Sequence, residues 1–230
     1  MIIEAKSLTK KFRDVTAVDE LSLKIDKKGI YGLVGQNGAG KTTTLAMICS
    51  LIRPTKGSIK VFGVDVRNFY KVKNKVGASL QDSSFYMDDK VIDNLIYYAK
   101  LSSVKEPIKE AERVLKQVGL EHLANSKVKT LSHGMVKLLA VAQALIGDPE
   151  LLIFDEPTSG LDPKVIYDVR NLINSMKGKT VVLSSHDLDT VNKVCGHIFI
   201  MEKGKIVVEG NLKKLTRKKS LEKLFLESIK

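Results

Sequence analysis

The segment Gly35-Gln36-Asn37-Gly38-Ala39-Gly40-Lys41-Thr42 constrains this chain more than any other. It stands between an apolar run over 30–34, which reads as a strand, and a helical pattern over 41–51. Glycines at three of its positions let successive backbone N–H groups turn toward one anion. A helix that starts immediately afterwards adds the positive end of its dipole at the same point. Lys41 is then placed to neutralise β- and γ-phosphates, Thr42 to offer its hydroxyl to Mg²⁺, and Thr43 to bond the α-phosphate. The spacing therefore predicts a nucleoside triphosphate cradled at the edge of an α/β sheet.

The rest of the chain agrees with that class. Apolar stretches bounded by glycine predict strands over 21–25, 151–154, 180–184, 197–201 and 205–208, several of them continuously apolar as buried parallel strands are. Helical periodicity over 91–101, 109–118, 135–145 and 163–176 alternates with them, and Pro163 suits a first helical turn. The stretch from 82 to 147 reads as almost wholly helical, so it is expected to be a lobe inserted into the core. The strand over 151–154 runs into Asp155 and Glu156, two carboxylates at the carboxyl edge of a sheet, where ligands of such folds sit. Asp155 is expected to hold Mg²⁺ and Glu156 to polarise an attacking water.

An apolar share of 43% and a charged share of 28% exclude a disordered or fibrous chain. The longest apolar run is far shorter than the roughly 18 residues a spanning helix needs, and the first residues lack a signal core. A cytoplasmic location is the expectation. Cys49 and Cys195 form no Cys-x-x-Cys pair and read as buried structural thiols. The net charge of +12 is concentrated partly in a tail that holds Lys213, Lys214, Arg217, Lys218 and Lys219, expected as a solvated basic helix over 211–230.

Between the two phosphate-site motifs lies Leu131-Ser132-His133-Gly134-Met135, which resembles the Leu-Ser-Gly-Gly-Gln signature of the ABC ATPases. Other matches follow in family order over nearly the whole chain. Gln81 resembles the Gln-loop residue, Ser159-Gly160-Leu161-Asp162 the D-loop, and His186 the switch histidine. Phe12 resembles the aromatic that stacks on adenine, with Val18 packing nearby. The resemblance implies one ABC ATPase domain: an α/β phosphate-loop NTPase core over 1–81 and 148–210, an antiparallel β subdomain, and an inserted helical subdomain over 82–147. It implies ATP and Mg²⁺ as ligands, with Thr42, Gln81 and Asp155 toward the metal and Lys41, Glu156 and His186 in hydrolysis. Two such subunits, identical or sister chains, would pack head to tail, so that Ser132, His133, Gly134 and Met135 of one meet the nucleotide of the other. Separately encoded membrane permease subunits would hold the pair at the inner face of the cell membrane, docking on a surface over 82–101. Nucleic acid is not an expected partner, because related chromosome-maintenance heads are split by long coiled coils.

The signature departs from the family at His133 and Met135, and the usual basic and arginine positions after it read Val136-Lys137-Leu138 and later Gln143. Because Ser132 and Gly134 remain, slow but real hydrolysis is expected. The Ser-x-Gly-Met signature and the Gly160-Leu161-Asp162-Pro163 run look like those of exporter subunits. The competing reading is a soluble ABC ATPase without a membrane partner, such as an iron–sulfur assembly ATPase.

Overall fold

The computed structural model describes residues 1–80, 85–176 and 178–229. The chain opens with β1 (Ile3–Phe12), β2 (Val15–Ile25) and β3 (Gly29–Val34), followed by α1 (Lys41–Ile48), β4 (Lys56–Val61), β5 (Val64–Asp65) and β6 (Val76–Ser79). Three helices come next, α2 (Val91–Leu101), α3 (Pro107–Gln117) and α4 (His133–Ala144). The chain then alternates through β7 (Leu151–Asp155), α5 (Pro163–Ser175), β8 (Thr180–Ser185), α6 (Leu188–Val194), β9 (His197–Glu202) and β10 (Lys205–Asn211), and ends in α7 (Leu212–Leu215) and α8 (Leu221–Ser228).

Two sheets result. A six-stranded sheet in the order β10-β9-β3-β8-β7-β6 is parallel from β9 to β6, with β10 antiparallel at its edge. Its inner strands are covered on both faces, which is why residues 151–154 of β7 and 181–183 of β8 are apolar without alternation and both strands are buried along their length. A four-stranded antiparallel sheet, β2-β1-β4-β5, covers one of those faces. In β2 the buried Leu21, Leu23 and Ile25 alternate with the exposed Ser22 and Lys24, as a sheet with one wet side requires. One core lies between the two sheets around α1, through Leu45, Met47 and Phe199. The other lies on the opposite face, where Leu95, Val114 and Leu139 of the helical lobe meet Leu152 and Phe154. Pro107 opens α3, whose buried stripe Ala111, Val114 and Leu115 has helical spacing.

Two expectations are corrected, and two strands went unread. The strands β1 and β4 were not legible, because lysines interrupt their apolar pattern and β1 carries register shifts between Ala5 and Lys11. The helix over 41–51 stops at Ile48, because Ser50 turns to a left-handed φ of 59° and leaves Leu51 exposed. The tail is two short helices rather than one: Asn211 accepts from Lys214 N at 3.2 Å to cap α7, and Ser220 accepts from Lys223 N at 3.2 Å to start α8. Leu221, Leu224 and Phe225 of α8 are buried in the second core, so the tail is not simply a solvated face.

Candidate functional site

Sheet register assembles the site. Val34 pairs with Ser185 and Asp155 with Ser184, so the carboxyl ends of β3, β8 and β7 lie side by side. The glycine-rich loop leaves β3 there, at the edge where doubly wound sheets bind ligands. Gly40, the residue before α1, has φ 98°, and a Cβ on it would stand 2.4 Å from the Ala17 carbonyl oxygen. Only glycine satisfies both conditions. No side chain caps α1 and no acidic residue occupies its first turn, which leaves its amides available to an anion.

Lys41 is 5% exposed, and its Nζ donates to the carbonyls of Gly35 at 2.7 Å and Gln36 at 3.1 Å. The same amine lies 3.4 Å from Glu156 Oε1. That oxygen is buried and accepts no hydrogen bond among the described residues. Thr42 Oγ1 donates to Asp155 Oδ2 at 2.7 Å, although the two residues are 113 apart in the chain. His186 Nδ1 lies 3.0 Å from Glu156 Oε2. Glu156 therefore sits between a lysine and a histidine, with a left-handed φ of 49° that a non-glycine residue adopts only when its surroundings impose it.

A cavity of about 590 Å³ opens over the loop, lined by residues 37–43, Val15, Thr16, Ala17, Glu156 and Lys203. That volume is within the range of small-molecule sites. Asn37, Gly38, Ala39 and Thr43 stand on its wall, while Gly35 and Gln36 lie beneath as acceptors for Lys41. Phe12 is half exposed at the end of β1, under the ammonium of Lys10 at 4.8 Å, and is not on the cavity wall. Val18, expected near Phe12 at the nucleotide, is fully buried beneath Gly40, while Val15, Thr16 and Ala17 line the cavity. None of Ser132, His133, Gly134 and Met135 lines this cavity. Ser132 caps α4 by accepting from Met135 N at 3.3 Å, and Gly134 is buried toward Val165 and Leu161. Asp162 is exposed at the start of α5. Gln81 and the first residues of the expected docking surface, Asp82 to Ser84, lie outside the described residues.

Three polar residues were missed. The buried Ser184 hydroxyl donates to Asp155 Oδ1 and accepts from Glu156 N at 2.9 Å, holding both carboxylate residues at once. Arg170 of α5 donates to Thr190 Oγ1 at 2.7 Å and Asp187 Oδ2 at 3.1 Å, and pairs with Asp189 at 2.8 Å, bracing the turn after His186. Burial of Asp187 would raise its pKa, but hydrogen bonds from Thr190 and Asp189 N and the Arg170 charge hold it below the usual carboxylate range. Lys137 of α4 reaches the backbone after β7, and no local motif announces that contact. Burial pushes both cysteine thiols up to about 12, in keeping with inert structural roles.

Residues 18–159 match the family model described as ABC transporter. The chain belongs to the ABC transporter family. It is 38% identical to the bacitracin transport ATP-binding protein BcrA of Bacillus licheniformis, over 94% of this chain and 73% of that protein. It is 32% identical to the methionine import ATP-binding protein MetN of Bacillus subtilis, over 98% of this chain and 70% of that one. The dimeric cassette MJ0796, in a post-hydrolysis state bound to ADP and Pi, superposes with a TM-score of 0.84 at 26% identity, covering 92% of this chain and 99% of that one. This ABC transporter chain is thus an ATP-binding subunit and an ATPase of mixed α/β fold. The alternative of an ABC ATPase working without a membrane partner is not favoured by these relatives. No helix among the described residues is long and apolar enough to cross a membrane.

Proposed function

We propose that this subunit energises export through separately encoded permease subunits, by ATP-dependent pairing of two ATP-binding subunits at the inner face of the membrane, with Glu156 as the general base. The placement of Glu156 between Lys41 and His186, directly after Asp155, carries the reading. Bound phosphates would draw the Lys41 amine from the Gly35 and Gln36 carbonyls and offer their own oxygens in exchange. Glu156 would then face the attacking water, with His186 holding its other oxygen and Ser184 fixing its backbone. The paired oxygens of Thr42 and Asp155 suit a hard divalent cation, so Mg²⁺ would be held by these two residues with Gln81 as a further ligand. When bound, Mg²⁺ supplies charge neutralisation at the phosphates.

Pairing is supported by the separation of the signature from the cavity on the same chain. Ser132, exposed at the start of α4, would meet the γ-phosphate of a second subunit with the Gly134 N–H behind it, and Asp162 would stand at the junction. Phe12, exposed on β1, would stack on the adenine. The direction of transport rests on the Ser-x-Gly-Met signature and the Gly160-Leu161-Asp162-Pro163 run, which resemble those of exporter subunits.

Replacing Lys41 by Met should weaken ATP binding about 10- to 100-fold, the scale of losing a buried charge-assisted contact. Titration with a fluorescent ATP analogue reads this directly, and unchanged affinity would remove Lys41 from the phosphate site. For the transporter itself, a tagged chain purified from detergent-solubilised membranes of its source cells should bring down a polytopic membrane protein in near-equal amount. Recovery of soluble proteins alone would overturn the permease partnership.

A further inference from the structure

The helical lobe touches the catalytic turn through one amine. Lys137 projects from α4 and its Nζ donates to the carbonyl of Ser159 and, at 3.3 Å, to that of Glu156. Those carbonyls bound one turn: Ser159 N donates back to Glu156 O at 3.2 Å, and Glu156 within it carries the left-handed φ. The groups that hold the Glu156 carboxylate and amide, namely Lys41, His186 and Ser184, all come from the α/β core. Lys137 comes from the lobe. It follows His133 by four residues, so both lie on one face of the helix that opens with the signature. That face, with Asp155, Glu156 and Pro157, borders a cavity of about 110 Å³. The lobe's lost basic positions do not replace it, since Leu138 is buried in the core.

We propose that Lys137 is a positioning residue: its ammonium clamps the turn that carries Glu156 to the chain's own signature helix, so that docking of the signature on a second subunit and alignment of Glu156 for hydrolysis are coupled within one chain. The inference rests on the proposed role of Glu156. Energetically, the clamp gives the Ser159 carbonyl a donor that a neutral apolar side chain would remove, and adds a charged one to the Glu156 carbonyl beside Ser159 N, in a turn that already holds strained backbone. Burial lowers the Lys137 pKa, and the nearby Glu156 and Asp155 charges oppose that shift, so the carboxylates favour the charged form that makes the clamp.

The test compares the native chain with Lys137→Met and Lys137→Arg in steady-state ATP hydrolysis, with Glu156→Gln as reference. Lys137→Met should lower kcat about 10-fold with KM for ATP within twofold, because the phosphate loop is untouched. Lys137→Arg, which keeps a cation and donors at similar reach, should recover most of the turnover. A kcat for Lys137→Met equal to that of the native chain, beside an inactive Glu156→Gln, would overturn the clamp and leave the role of Glu156 standing. A loss with Lys137→Met that Lys137→Arg does not recover, accompanied by a rise in KM, would also overturn it as a general packing defect. Should Lys137→Met not fold, the Lys137→Arg comparison with the native chain decides alone: recovered turnover supports the clamp and a kcat as low as that of Glu156→Gln overturns it. Full activity of Glu156→Gln would sink the proposed base and the clamp with it.

Discussion

Glu156→Gln should reduce ATP turnover by about 100-fold or more while leaving ATP affinity within a few-fold of the native value. The substitution is nearly isosteric, so the amide can keep a contact to His186 Nδ1 and to Lys41, and the backbone bond from Glu156 N to Ser184 Oγ is untouched. Lost is the carboxylate that accepts a proton, and general-base contributions of this kind run to roughly 10² to 10⁴. Affinity is preserved because the phosphate contacts come from the loop, Lys41 and the amides of α1. The variant should therefore accumulate as an ATP-bound pair. Phosphate release and size-exclusion chromatography with ATP would check both halves. Undiminished turnover would remove Glu156 from the mechanism.

Gly77→Ala should cost more than about 3 kcal/mol of stability, beyond the usual range for adding one carbon to a core. Gly77 lies buried in β6, paired with Leu152 of β7, and a Cβ there would stand 1.8 Å from the Ala144 carbonyl oxygen and 2.8 Å from Pro149 Cγ. The nearest atom is backbone at the last residue of α4, so no rotamer change can relieve the overlap. The strand and the signature helix must separate. Because β6 leads toward Gln81 and α4 begins at His133, that separation should also lower ATPase activity in the fraction that remains folded. Urea unfolding of the variant beside Gly178→Ala, where an added Cβ meets nothing within 4 Å, would measure the difference. Equal midpoints would show that α4 is not held against β6 in the way described.

Much of the site was legible because its chemistry is local. The phosphate loop is contiguous, so strand, glycines, lysine and helix start follow from spacing within one short segment. Asp155 and Glu156 were readable for the same reason, as the end of an apolar run that could only be an inner strand. Pro163 announced a first helical turn. By contrast, β1 and β4 escaped notice because their side chains are half wet and their pairing shifts register, so period-two alternation fails. The tail misled because its lysines outnumber the few apolar residues of α8 that reach the core.

By itself, then, the sequence determined the loop, the inner strands β3, β7, β8 and β9 and the identity of the acidic pair, since each depends on residues joined by a few covalent bonds. Tertiary structure alone decided which distant groups meet. Cross-strand register puts Ser184 against Asp155 and Thr42 within 2.7 Å of the same carboxylate, and shifting a strand by one residue would turn these side chains to the other face. Close packing sinks Val18 under Gly40, demands a glycine at 77 and brings Lys137 onto the Glu156 turn. Those contacts join residues far apart in the chain, and their existence depends on how the sheet and the helical lobe fill the same space.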